Sequence, residues 1–260
     1  MKKGKKLYEG KAKIIFATSD KNVVIQHFKD DATAFNNQKK ANIEGKGILN
    51  NRISEHLLKS LTEIGIKNHL IKRLNMREQL VELVNIIPIE FIIRNIATGS
   101  LTKRLGIEEG TVLDYPLIEY CLKNDELGDP IVSREHILNF KWLNIVELNQ
   151  INEQCLRIND FLQGIFKGIE IKLVDFKIEF GKAKSDEKII LADEISPDTC
   201  RLWDQETDKK LDKDRFRKDL GDVVEAYQEV ARRLGILHEQ SNIRPIKFSK
   251  PTAVKIKKNK

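Results

Sequence analysis

The chain has 260 residues, 40% hydrophobic and 33% charged, with 46 Lys and Arg against 39 Asp and Glu. That length allows one large domain or two small ones, and the absence of any run of about 18 apolar residues excludes a membrane-spanning helix. The formal charge of +7 sits at one end: Arg244, Lys247, Lys250, Lys255, Lys257, Lys258 and Lys260 share residues 244–260 with no acid, so residues 1–243 are formally neutral, which argues against a nucleic-acid-binding body.

In chain order, residues 6–16 (KLYEGKAKIIF) and 22–28 (NVVIQHF) read as two strands joined by the turn ATSDK, the start of an antiparallel sheet. DDATAFNNQ reads as a loop. GILNNRISEHLLKSLTEI, residues 47–64, carries apolar residues at helical spacing and stops at Gly65, a good helix end. Residues 70–73 and 79–84 read as short strands, and IIPIEFII as a buried one, followed by the loop RNIATG and the helix SLTKRLG. A polar stretch with YPLIEY, LKNDELGDP and VSREH precedes a helical pattern over 143–167. LVDFKIEFG (173–181) and IILADEISPDTCRLWD (189–204) then form a hairpin around KAKSDEK. In DKDRFRKDLGDVVEAYQEVARRLGI, residues Phe216, Leu220, Val223, Val224, Tyr227, Val230, Ala231 and Leu234 make one apolar stripe.

The expected fold class is α+β and two-lobed. A small antiparallel-sheet lobe spans 1–85, a larger mixed lobe closed by a C-terminal helix spans 86–240, and a basic tail spans 241–260. A cleft between two lobes is a usual place for a ligand. MKKGKK lacks the apolar segment of a secretory signal. Cys121, Cys155 and Cys200 show no CxxC or ligand spacing, as expected of reduced cytosolic thiols.

Residues two apart on a strand share a face, so Asp175, Lys177 and Glu179 point one way and Phe176, Ile178 and Phe180 the other. A wetted sheet face accounts for this as well as a site does. If the turn centres on Asp186, Glu179 lies opposite Asp193, and facing carboxylates repel. A Mg2+ ion, which takes one or two carboxylates plus phosphate oxygens, would relieve that repulsion; with the turn elsewhere the two never meet. Arg94 at a strand end beside Gly99 and Ser100 at a helix start is either an anion site or an ordinary strand–turn–helix. Gly10 with Lys11 and Lys13 is a weak phosphate-loop signal. Ser196-Pro197-Asp198 is good turn chemistry, with Asp198 and Arg201 able to meet a sugar and a phosphate.

IIPIEFIIRNIATGS and LVDFKIEFG, with YEGKAK, KRLGIEEG, DEISPDTCRLWD and KDRFR in the same order over about residues 6–236, resemble the SAICAR synthetase (phosphoribosylaminoimidazole-succinocarboxamide synthase) family. The resemblance implies a distantly kinase-like fold with an ATP cleft between the lobes. It implies a ligase of purine biosynthesis that joins carboxyaminoimidazole ribonucleotide (CAIR) to L-aspartate, yielding SAICAR, ADP and phosphate through an acyl phosphate. It implies Lys177, Asp175 and Arg94 as the catalytic set, and Glu179, Asp193 and Asp129 around Mg2+. Gly10, Lys11, Ala12 and Lys13 would cover the ATP phosphates. Arg94, Ser100 and Arg201 would hold the ribonucleotide phosphate, Asp198 the ribose, and Asp31 and Thr33 the L-aspartate, with Arg215 closing the site. A cytoplasmic homodimer with no specific nucleic acid or membrane partner is also implied. Ile96 stands where relatives often carry a basic residue, so it is given no ligand role; the tail after about residue 237 has no counterpart in compact members.

Overall fold

The computed structural model describes residues 2–34 and 38–237; the expected tail over 241–260 lies outside the described residues. Residues 6–16, expected as one strand, fold back at Gly10–Ala12, so that β1 (Lys6–Glu9) pairs antiparallel with β2 (Lys13–Ala17). Next come β3 (Val23–Phe28) and a small ribbon of β4 (Asp31–Ala34) and β5 (Lys39–Asn42), where a loop was expected. Helix α1 (Lys46–Glu63) ends at Ile64, and Gly65 takes φ 83° to turn the chain away. With β6 (Leu70–Arg73) and β7 (Glu78–Glu82), the first sheet has the antiparallel order β1-β2-β3-β7-β6.

Leu83 alone separates β7 from β8 (Val84–Ile96), which runs through Ile96 into the expected RNIATG loop. Helix α2 (Ser100–Leu105) follows, then β9 (Val112–Leu122), a 3-10 turn at Asp125–Leu127, β10 (Ile131–Val132) and α3 (Arg134–Asn139). Strand β9 occupies the stretch expected as merely polar. Its ladder to β10 covers only Tyr120 and Cys121, so Pro116 lies on a stretch open on that side, where a missing N–H is tolerated. Helix α4 (Ile145–Gly168) starts on a capping box between Asn144 and Glu147.

Strand β11 (Ile171–Ala183) is the spine of the second sheet. One edge pairs with β8. The other is shared: β13 (Cys200–Asp204) takes its first half and β12 (Ile189–Ala192) its second. Between these partners the segment 193–199 loops out, and Lys177 N–H of β11 donates to the Thr199 carbonyl at 2.8 Å. That gap places a loop beside the middle of β11.

The main core joins Ile53, Leu57 and Leu61 of α1, Ile89, Phe91 and Ile93 of β8, Leu162 and Phe166 of α4, and Phe176, Ile178 and Phe180 of β11. It is therefore continuous across residue 85. Main-chain bonds also join the sheets, His69 N–H to the Leu191 carbonyl (2.9 Å) and Leu191 N–H to that of Lys67 (3.0 Å). The final apolar stripe is split between α5 (Asp214–Arg217) and α6 (Val223–Arg233), because Asp219, Gly221 and Asp222 adopt positive φ between them. Tyr227, Val230 and Ala231 enter the main core, Phe216 packs on Ala32 and Ala34 of β4, and Leu220 is exposed.

Candidate active site

Alternation on β8 and β11 puts their apolar residues into the core and leaves a charged face. Directly paired residues share a face: Glu179 lies opposite Glu90, Lys177 opposite Ile92, and Asp175 opposite Arg94. This face is not a wet one, since Asp175 and Glu179 are 3% and 4% exposed.

The hairpin register differs from expectation by one residue: Glu179 faces Ala192, not Asp193. The turn centres half a residue earlier, between Ser185 and Asp186, and Asp193 leaves the ladder in a left-handed conformation, φ 63°. Its carbonyl faces His69 Nε2 at 3.0 Å and accepts from Gln26 Nε2 at 3.4 Å. Burial pushes the His69 ring down to about 4, so it is neutral and donates there. The Asp193 carboxylate pairs with Lys13, which also lies 2.8 Å from Glu194.

The repulsion expected at Glu179 is real but comes from Glu90, and lysines relieve it. Lys177 Nζ lies 2.6 Å from Glu90 and 3.3 Å from Glu179, and Lys123 Nζ 2.5 Å from Glu179. Burial opposes the charges of Lys13 and Lys177, yet the carboxylates hold both ammonium groups well above their ordinary range. Burial likewise opposes the Asp193 charge, and Lys13, Lys177 and Lys123 hold it well below the usual carboxylate range.

Among the described residues no three His, Cys, Asp or Glu side chains gather into a metal cage. Glu179, buried, and Asp193, half-buried, are nevertheless carboxylates of the kind Mg2+ takes beside waters and phosphate oxygens, and the lysines around them suit the phosphates. Asp129 is folded into its own turn instead, with φ 50° and Oδ1 accepting the Asn124 N–H at 3.0 Å. Its neighbour Asp125 makes the cross-cleft contact, 2.6 Å from Lys11 at the hairpin tip.

At the other end of the face, alternating ion pairs run Arg104–Glu119–Arg94–Asp175–Arg201–Asp214–Arg217. Arg94, 2% exposed, donates 2.6 Å bonds to Glu119 and Asp175 and a 3.1 Å bond to Ser100 Oγ. It is a buried group and not a surface one. Burial opposes the Arg201 charge, but Asp175 and Asp214 hold it firmly protonated. Gly99 has φ 62°, and a Cβ there would lie 2.7 Å from Arg201 Nη2, so glycine lets the guanidinium reach the start of α2.

Four expected residues have other partners here. Asp198 points inward: one carboxylate oxygen takes Lys46 Nζ at 2.6 Å and the other Tyr227 Oη at 2.7 Å. Arg215 donates to the carbonyls of Lys210, Leu220 and Gly221, organising the break between α5 and α6 rather than closing a cleft. Asp31 pairs with Lys29 (2.6 Å) and accepts from Asn42 (3.2 Å), while Thr33 sits on β4 opposite Lys40. Sequence reasoning missed Lys123, Glu90, Glu194, Glu119 and Asp214. Only Glu90 carried a signal, the two-residue spacing from Ile92 and Arg94 on one strand.

The sequence profile of SAICAR synthetase matches residues 6–234. The phosphoribosylaminoimidazole-succinocarboxamide synthase of Pelagibacter ubique (strain HTCC1062) is 70% identical over 260 residues, 99% of this chain and 100% of the relative, so the similarity runs into the basic tail. The crystal structure of the synthase of that name from Ehrlichia chaffeensis superposes with a TM-score of 0.88 at 57% identity, covering 90% of this chain and 100% of that one. A SAICAR synthetase (Type-2) in complex with ADP superposes with a TM-score of 0.84 at 46% identity, covering 87% and 96%. The two-lobed α+β fold is shared with these enzymes, and on sequence and fold together the chain belongs to the SAICAR synthetase family.

Proposed function

We propose that this chain is an ATP-dependent carbon–nitrogen ligase that condenses CAIR with L-aspartate to give SAICAR, ADP and phosphate. Beyond family membership, the observation that carries this reading is the division of labour along β11. Glu179 stands in a lysine–carboxylate cluster, Asp175 in a row of arginines, and Lys177 between them. Four strand residues span about 13 Å, room for a substrate whose phosphate and reacting carboxylate lie at opposite ends.

The Gly10–Lys13 tip, carrying Lys11 and Lys13, covers the ATP phosphates, and Lys123 adds a third cation near them. Glu179 and Asp193 would hold Mg2+, which would supply charge neutralisation on the phosphates when bound. Arg94, Ser100 and Arg201 take the ribonucleotide phosphate, each arginine exchanging part of its bond to Asp175, which turns toward the imidazole amino group. Lys177 then faces the CAIR carboxylate. That oxygen attacks the γ-phosphorus, the bond to ADP breaks, and an acyl phosphate results. The neutral amine of L-aspartate attacks the acyl carbon, phosphate departs with its electron pair, and the amine proton is lost as the amide forms. Such a path needs positioning and neutralisation more than a protein nucleophile.

Two labels test this. With 15N-L-aspartate the nitrogen appears in the product; with 18O in the CAIR carboxylate, one label appears in inorganic phosphate. Product without 18O transfer contradicts the acyl phosphate, and no 15N-labelled product contradicts the reaction. Among the described residues no helix is long and apolar enough to cross a membrane, and all three cysteines are free and buried, which supports a cytoplasmic setting. A homodimer is the assembly this reading carries.

A further inference from the structure

Lys213 stands at the entry to α5, and the roles above do not use it. Among the described lysines that are not exposed, its ammonium alone has no carboxylate, hydrogen-bond or ring partner. Lys210, three residues earlier, lies over the Trp203 ring at 3.1 Å. The Lys213 backbone is fixed, its N–H donating to the Pro197 carbonyl at 3.0 Å. That bond ties it to the 193–199 loop, which lies beside Lys177 of β11.

The charges that act on the Lys213 ammonium are those of Asp198, Arg217, Lys46 and Glu194. Both carboxylates are already engaged, Asp198 by Lys46 and Tyr227, Glu194 by Lys13 and the Ser196 hydroxyl. The charges acting on Lys213 thus come from both ends of the site, Glu194 at the lysine end and Arg217, which Asp214 links to Arg201, at the arginine end. Burial, with Arg217 and Lys46 close by, lowers its hold on its proton. An anion is what this spot lacks.

The ATP phosphates and the ribonucleotide phosphate already have cations at the two ends. L-Aspartate brings two carboxylates and has none. Three residues on from Lys213, Phe216 of α5 packs on Ala32 and Ala34 of β4, and Lys39 donates to the Phe216 carbonyl at 2.6 Å. This brings β4, with Asp31 and Thr33, against α5, and Asp31 lies within the field of the same Lys46.

We propose that Lys213 is a substrate-binding residue whose ammonium receives a carboxylate of L-aspartate; the assignment rests on the synthetase reading above. The test is steady-state kinetics of Lys213→Met and Lys213→Arg with each substrate varied in turn. Loss of one charge-assisted bond raises the KM for L-aspartate about tenfold or more in the Met variant. KM for ATP and CAIR stays within about twofold, as for binding removed from one substrate only. Lys213→Arg restores most of the loss, and the inhibition constant of succinate, a dicarboxylate without the amine, rises in parallel with the aspartate KM. An unchanged aspartate KM, or a rise for CAIR or ATP instead, overturns the assignment. If the Met variant does not fold, Lys213→Gln takes its place. If the wild type makes no SAICAR, the synthetase reading fails first, and calorimetric binding of succinate to wild type and variant still reads Lys213 alone: equal affinities overturn it.

Discussion

At Asp193 the backbone turns left-handed and the side chain swings toward Lys13, so a candidate metal ligand is positioned by His69 and Gln26 rather than by a ladder. Asn tolerates that conformation, and Lys13 keeps Glu194. Asp193→Asn should therefore fold with an unchanged circular-dichroism spectrum while magnesium-dependent turnover falls at least about tenfold. Near-normal turnover across a magnesium titration would remove Asp193 from the metal site. Lys46 is a different kind of residue. It is 1% exposed and neutralises Asp198 deep in the fold. Lys46→Met strands a buried carboxylate, so urea unfolding should show a loss of about 3–5 kcal/mol. The double variant with Asp198→Asn should recover part of it. A loss below about 1 kcal/mol, the scale of a surface pair, would contradict the pairing.

Among the elements, β8 crowds β11 at Gly181, next to a register shift, where an added Cβ would lie 2.7 Å from Val84 Cγ2. Gly181→Ala overpacks that contact, with the Val84 Cβ at 2.8 Å and the Asn85 carbonyl at 3.1 Å also in the way, and should destabilise by about 1–3 kcal/mol in denaturant unfolding. An unaffected variant would mean that the strands can part there freely. These long strands were legible in the sequence because apolar alternation marks a half-buried strand, and the same alternation exposed Asp175, Lys177 and Glu179 as one face. Strand β9 was not legible, since Pro116 and its open edge remove the usual signal, and the β4–β5 ribbon is too polar to read as strand. Lys123, Glu119 and Lys46 were hidden for another reason. They reach the site or its wall from other elements, and only the pairing of β9 with β8 and the packing of α1 bring them there.

At the scale of the whole molecule, buried charge makes stability depend on pH in two opposite ways. Lys13 and Lys46 hold Asp193 and Asp198 far below the usual carboxylate range against the pull of burial. Their contribution is present above the unfolded value near 4 and is lost as acid protonates them. Asp212 runs the other way. It accepts N–H bonds from Leu202 (2.8 Å) and Asp214 (2.7 Å), and burial, with the Asp214 charge, pushes it up to about 7. Between about pH 4 and pH 7 the folded state holds a proton that the unfolded chain releases, so this group's contribution falls as pH rises. Asp212→Asn should thus gain on the wild type by roughly 2–3 kcal/mol between about pH 5 and pH 8. A constant difference in urea unfolding over that range would contradict the shift.

The most direct test of the account is ADP release from MgATP with CAIR and L-aspartate added singly and together. The account predicts sustained release only with both, one ADP for each SAICAR formed. Release indifferent to either substrate, or none from a folded enzyme given both, would contradict it.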